Sequence, residues 1–166
     1  MVDLHDLVSQ LREALKDHAN WRHVFSTDVS NSVVIHLAIF REPYLDFIME
    51  GRKTIETRFS RRICAPFRAV SRGDVVILKR SGGEIAGICL VEDAWFYRLT
   101  SEALTFIRDK FGAAICAEDD SFWEERKEAA VATLISISHV APLSKIDIPK
   151  RDRRGWVVLN RAETSA

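Results

Sequence analysis

The chain has 166 residues, 47 % of them apolar and 29 % charged, and its 24 basic and 24 acidic side chains leave no formal net charge at pH 7. That size and balance fit one soluble globular domain able to bury its own core, so neither a disulfide framework nor a structural metal is required. No apolar run approaches the roughly 18 residues of a membrane-spanning helix, and Asp3 and Asp6 near the start speak against a signal peptide, so a cytoplasmic protein with no membrane partner is expected. Cys64, Cys89 and Cys116 are far apart and follow no metal-ligand spacing; free or buried thiols are expected, with no metal and no cofactor.

In chain order, residues 3–25 read as one amphipathic helix, with Leu4, Leu7, Val8, Leu11 and Leu15 at helical spacing and Trp21 and Phe25 extending the stripe. Ser26–Ser32 is rich in small polar residues and reads as a linker, so residues 1–32 form an N-terminal unit, packed on the main domain or on a second copy of the chain in a homodimer. Val33–Phe40 is an apolar, β-branched run suited to a strand buried on both faces, which makes His36 a satisfied core histidine more readily than a ligand. Tyr44, Leu45, Ile48 and Met49 lie at helix spacing, with Pro43 suited to the first turn and Gly51 to the left-handed residue that ends it.

Thr54, Ile55 and Thr57 then favour a strand, whose period of two sends Thr54, Glu56 and Arg58 to one face and Ile55, Thr57 and Phe59 to the other. Ser60–Arg72 reads as a mobile basic loop. Val75–Lys79 and Ile85–Tyr97 are strands, and Gly87 marks a bend or a close backbone approach. Trp95, Phe96 and Tyr97 are either core or a stacking surface for a base, Tyr97 being the best stacking candidate. Thr100–Phe111 is a capped helix ended by Gly112, and Ser121–Ala130 a second one. Glu118, Asp119 and Asp120 before it are an acidic lead-in or a source of carboxylates for a cleft. Val131–Val140 and Trp156–Leu159 are strands, with Ile146–Pro149 crossing between them.

Charge is unevenly spread. Gly51–Ser81 holds nine basic and two acidic residues, net +7, and Lys145–Arg161 is net +4, whereas Met1–Glu50 is −4 and Gly82–Ala130 is −6. Brought together by folding, the two basic segments form a patch able to hold phosphates. The motif Gly51-Arg52-Lys53-Thr54-Ile55-Glu56-Thr57-Arg58 sits at the head of that patch. Its bland reading is a set of exposed ion pairs worth little. Its functional reading is a cleft in which Glu56 accepts from an exocyclic amine while Lys53 and Arg58 grip phosphate or carbonyl oxygens. There is no phosphate loop, dinucleotide fingerprint, H-E-x-x-H or G-x-S-x-G.

A helix, then G-x-K-x-x-E-x-R entering a strand, then the Gly73-Asp74-Val75-Val76 strand and the closing Arg153-Arg154-Gly155-Trp156-Val157-Val158-Leu159, resembles the ASCH domain family of the PUA-like superfamily. The likeness runs from about Val34 to about Leu159, so residues 33–160 are taken as the domain and 161–166 as a tail. The resemblance implies an α+β fold: a PUA-like mixed β-barrel of about six strands with flanking helices, here with an extra N-terminal helix. It also implies RNA or a nucleoside or nucleotide as partner; taken with the charge pattern, the expected site is Lys53, Thr54, Glu56 and Arg58, with Lys79, Arg80 and Arg154 on phosphate and Tyr97 or Trp156 stacking.

Two enzymatic branches belong to the same resemblance. In one, similar to an N4-acetylcytidine amidohydrolase, a lysine, a threonine three residues later and a distant glutamate act together; here the lysine falls on Lys53, Glu56 stands in the threonine's place, and Glu118 is near the glutamate's. The other is similar to a metal-assisted ribonuclease, for which Lys53 and Tyr44 or Ser138 are available. If the chain is an enzyme, Lys53 and Glu56 are its proton-handling pair.

Overall fold

The computed structural model describes residues 3–25, 33–148 and 153–161. The Ser26–Ser32 linker and the stretch 149–152 of the second basic segment lie outside the described residues, as does all of the tail beyond Arg161. Six strands form one sheet in the order β2-β5-β4-β3-β1-β6: β1 (Ile35–Phe40), β2 (Ile55–Ser60), β3 (Val75–Arg80), β4 (Ile85–Arg98), β5 (Val131–Pro142) and β6 (Trp156–Val158). β1 and β3 run parallel, and every other pair is antiparallel. The class is therefore α+β with a mixed sheet, as expected.

The sheet is a curled half-barrel. Register shifts between Ile88 and Leu90 and between Val91 and Asp93 bend the long β4–β5 ribbon, because a bulge adds local twist and turns the strand. Gly87 makes the tight approach expected of it: a β-carbon there would stand 2.7 Å from the Ala141 carbonyl oxygen. The curl carries β2, at one edge of the sheet, round towards β1 and the opposite edge. Arg58 of β2 spans that seam, donating from one terminal nitrogen to Ile39 O at 2.9 Å and from the other to Gly155 O at 3.2 Å.

Alternation along the strands sorts the core into faces. Ile35 and Leu37 of β1 and Val75 and Ile77 of β3 face one layer, while Ala38 and Phe40 with Val76 and Leu78 face the other. The first layer is closed by α1 (Leu4–Ala14), whose Leu7, Val8 and Leu11 are buried with Leu15, Trp21 and Phe25 against the sheet. Of the two expected partners for this apolar stripe, the main domain or a second copy, the chain's own strands cover it. The single helix expected over 3–25 is broken: α1 stops at Leu15, and α2 (Ala19–Arg22) starts after His18. A tertiary hydrogen bond from Trp21 Nε1 to His139 O, 2.9 Å, holds the second piece down on the sheet.

α3 (Tyr44–Met49) buries Leu45 and Ile48 in the second layer, with Pro43 as its N-cap residue and Gly51 at φ +77° just past its end. α4 (Ser101–Ile115) begins as expected, Thr100 Oγ1 accepting from Ala103 N at 3.1 Å, but it runs through Gly112. Continued burial of Phe111 and Ile115 beside α5 (Asp120–Glu124) favours the extra turn, and Cys116, at φ 61°, is the left-handed cap. α5 is shorter than expected because Arg126 and Lys127 bond back three residues, to Trp123 and Glu124, and tighten the chain into a turn.

The segment Ser60–Arg72, expected to be a mobile loop, is pinned. Phe67 and Val70 are buried, Phe67 meets Phe96 edge-on with centroids 5.6 Å apart, and Ser71 N donates to Asp74 at 2.8 Å. His36 is the satisfied core histidine expected: Trp156 Nε1 donates to its Nδ1 at 3.0 Å, so Nε2 carries the proton and faces Asp74 Oδ2 at 2.9 Å. No helix among the described residues is long and apolar enough to cross a membrane.

Candidate functional site

Lys53, Glu56 and Arg58 converge. Ile55 and Phe59 turn to the α4–α5 cluster, so the period of β2 sends Glu56 and Arg58 to the opposite face, and Lys53 comes in from the bend that follows Gly51. The Glu56 carboxylate bridges the two cations, Oε2 lying 3.4 Å from Lys53 Nζ and Oε1 2.8 Å from Arg58 Nε. Lys53 is only 3 % exposed and Glu56 6 %, so this is a buried ion pair and not the solvated one of the bland reading. Lys53 also donates to Ile115 O at 2.9 Å, which ties the motif to the end of α4. Burial holds its ammonium below the ordinary lysine pKa, outweighing the raising pull of Glu56.

These groups line a cleft of about 710 Å³, within the ~300–1,000 Å³ usual for ligand pockets. Its walls hold the cations Arg41, Arg61, Arg126 and Arg153 as well as Arg58, opposed among the described residues by Glu56 and Glu125, together with Phe40, Tyr44, Phe59 and Phe122. Tyr44 stands beside the lysine, whose Nζ is 5.5 Å from the ring centroid. Arg126 lies over the Phe122 ring at 3.4 Å and donates to Phe122 O at 2.6 Å, a pre-set guanidinium whose pKa burial pulls down. Sequence reasoning missed it. A cation within a mixed-charge run resembles any solvated helix face, and only the turn after α5 directs this one inward.

Arg58 is more committed than expected. Besides Glu56 it holds the carbonyls of Ile39 and Gly155, and its guanidinium lies between Phe40 and Trp156, 4.8 and 5.2 Å from their centroids. It shapes the cleft at least as much as it faces it.

The remaining expected residues lie elsewhere. Thr54 is exposed outside the cleft, its backbone pairing with Ala114 O and Ile137 N. Lys79 donates to the carbonyls of Arg80 and Gly83 in its own turn, and Arg80 is paired with Glu42 and Asp46; neither lines the cleft. Tyr97 packs towards Phe106 on the α4 side, with centroids 6.3 Å apart. Trp156 is buried, its indole N–H on His36, so it supports Arg58 from behind. Arg154 is exposed and its neighbour Arg153 lines the cleft instead.

Of the residues considered for catalysis, Tyr44 is in the wall, whereas Ser138 bonds Glu92 and His139 Nδ1 away from it. Glu118 is exposed and is not part of the wall. Asp119 caps α5 through Ser121 N at 3.1 Å, and Asp120 pairs with Arg108, so the acidic run serves as the helix lead-in. Among the described residues no group of three or more His, Cys, Asp or Glu side chains is placed to hold a metal ion.

The ASCH domain family model matches residues 39–145. Among solved structures, the ASCH protein of Zymomonas mobilis superposes with a TM-score of 0.58 at 13 % identity, covering 75 % of this chain and 87 % of its own. A tyrosine-to-phenylalanine mutant of that protein gives 0.58 at 14 % identity, covering 75 % and 89 %. A protein of Enterococcus faecalis gives 0.50 at 12 % identity, covering 84 % and 99 %. At these identities the likeness shows the fold alone. No curated protein matches the chain.

Proposed function

Because the chain belongs to the ASCH domain family, a PUA-like group associated with RNA binding, we propose that it binds RNA or a nucleotide in the cleft floored by Lys53 and Glu56. The observation that carries this reading is the buried pair at the base of an arginine-walled, ring-lined hollow of about 710 Å³. A donor beside an acceptor, 3.4 Å apart, is complementary to a base edge that offers an acceptor next to an amine. Water-poor surroundings strengthen both contacts. The rings of Tyr44 and Phe122 suit a base plane, and Arg41, Arg61, Arg126 and Arg153 suit phosphate oxygens. Three unpaired thiols suit a reducing compartment, and the cytoplasm is the location this reading assigns.

The test is titration of labelled single-stranded RNA and of nucleoside monophosphates across salt concentrations. Binding is expected to weaken with a log–log slope of about −0.7 per phosphate held, and Lys53→Met and Glu56→Gln should each lower affinity about tenfold or more. Salt-insensitive binding, or full affinity in both folded variants, would remove the proposal.

One observation favours a second reading, a small hydrolase of a modified nucleoside or of RNA. A lysine held below its ordinary pKa beside a carboxylate can take and return a proton more readily than an exposed one. Incubation with N4-acylated cytidine and with RNA, followed by product analysis, decides it; folded protein that releases no product above background would leave binding alone.

A further inference from the structure

A second cavity opens on the far side of Arg58. It measures about 190 Å³ and shares Arg58, Phe59, Ser60 and Gly155 with the cleft, so Arg58 lines both hollows. At that size it is below the ~300 Å³ of a free-standing ligand pocket and admits a single ring system. Its walls include Ala65, Pro66, Phe67 and Trp156, with Ser60 and Thr133: a largely apolar lining with a little polarity, which suits a base better than a phosphate.

Arg58 supplies what would lie between. Of the five N–H groups of a guanidinium, one on each of the three nitrogens is used, on Glu56, Gly155 O and Ile39 O. Among the described residues the second N–H of each terminal nitrogen has no protein acceptor, which leaves two donors for an anion. Phe40 and Trp156, on which the guanidinium lies, and the two backbone carbonyls fix its orientation.

We propose that the cleft and this chamber form a two-unit site for single-stranded nucleic acid, with one base over Lys53 and Glu56, the next in the chamber, and the phosphodiester between them on Arg58. The inference rests on the cleft binding a nucleotide and adds to it. The preferred ligand is then a strand and not a free nucleotide, and Arg58, not Lys79 or Arg80, which are half-buried on partners of their own, holds the internal phosphate.

The experiment compares a nucleoside monophosphate with the phosphorylated dinucleotide that extends it, on the wild-type protein and on Ala65→Leu, which fills the chamber. The dinucleotide should bind the wild-type protein about tenfold or more tighter, the gain expected from seating one more base, and Ala65→Leu should erase that gain while keeping the mononucleotide affinity. Should Ala65→Leu fail to fold, the wild-type protein still answers. Cys64 lines the chamber and is exposed, so the dinucleotide, and not the mononucleotide, should slow its alkylation by iodoacetamide, read by mass mapping. Equal affinity for the two ligands, or tighter dinucleotide binding that leaves Cys64 alkylation unchanged, overturns the two-unit site and leaves the cleft intact. No measurable binding of either ligand overturns both.

Discussion

Replacing Glu56 with alanine tests whether the motif is a buried network or a set of surface charges. In the folded chain its carboxylate lies 3.4 Å from Lys53 Nζ and 2.8 Å from Arg58 Nε. At an effective dielectric of about 20, the two pairs are worth about 5 and about 6 kcal/mol before the cost of removing the charges from water. Glu56→Ala leaves Lys53, 3 % exposed, with Ile115 O as its one remaining acceptor among the described residues, and it takes the Nε partner from Arg58. Removing one partner of a buried pair costs about 3–5 kcal/mol. For a chain of this length that corresponds to a fall in Tm of roughly 10 °C.

Urea denaturation with a double-mutant cycle isolates the interaction. Lys53→Met combined with Glu56→Leu should recover part of the loss, because the buried ammonium is no longer stranded, while Arg58 keeps the carbonyls of Ile39 and Gly155 but still lacks its Nε partner. A Glu56→Ala cost under about 1 kcal/mol, the value for a surface pair, would refute the burial on which the argument depends.

Lys53 also makes a prediction about pH. Its folded pKa is below the unfolded value, so between the two the unfolded chain binds more protons and stability rises with pH. The stability of wild type minus that of Lys53→Met should therefore grow as pH climbs towards the ordinary lysine pKa near 10.5; urea midpoints showing a flat or falling difference would contradict this. Gly87→Ala would put a β-carbon 2.7 Å from Ala141 O and should cost about 2 kcal/mol or more in thermal or urea unfolding, where a loss under about 0.5 kcal/mol would show that β4 and β5 can separate there. Trp156→Phe removes the donor to His36 Nδ1 and should destabilise by about 1–3 kcal/mol by the same assay, an unchanged midpoint arguing that water replaces the indole.

Local chemistry was legible in the residues. The alternation that turns Ile55 and Phe59 away from Glu56 and Arg58, the left-handed Gly51, the Thr100 cap and the Gly87 contact all follow from short-range rules, and all stand in the fold. What was not legible depends on distant partners. Lys79 and Arg80 looked like phosphate ligands because charge in a sequence carries no direction; in space the turn carbonyls, Glu42 and Asp46 take them. Gly112 reads as a helix stop, but the burial of Phe111 and Ile115 outweighs its propensity. Arg126 lies nearly seventy residues beyond the motif and Arg153 nearly a hundred, so their convergence with Arg41 and Arg61 around the cleft belongs to the curl of the sheet and not to any local pattern.

The most direct measurement is a crystal structure of the protein grown with a nucleoside monophosphate. A base edge should lie within hydrogen-bond distance of Lys53 Nζ and Glu56, with the phosphate against the arginine wall of the cleft. A nucleotide bound on another face, with the cleft holding only solvent, would contradict it.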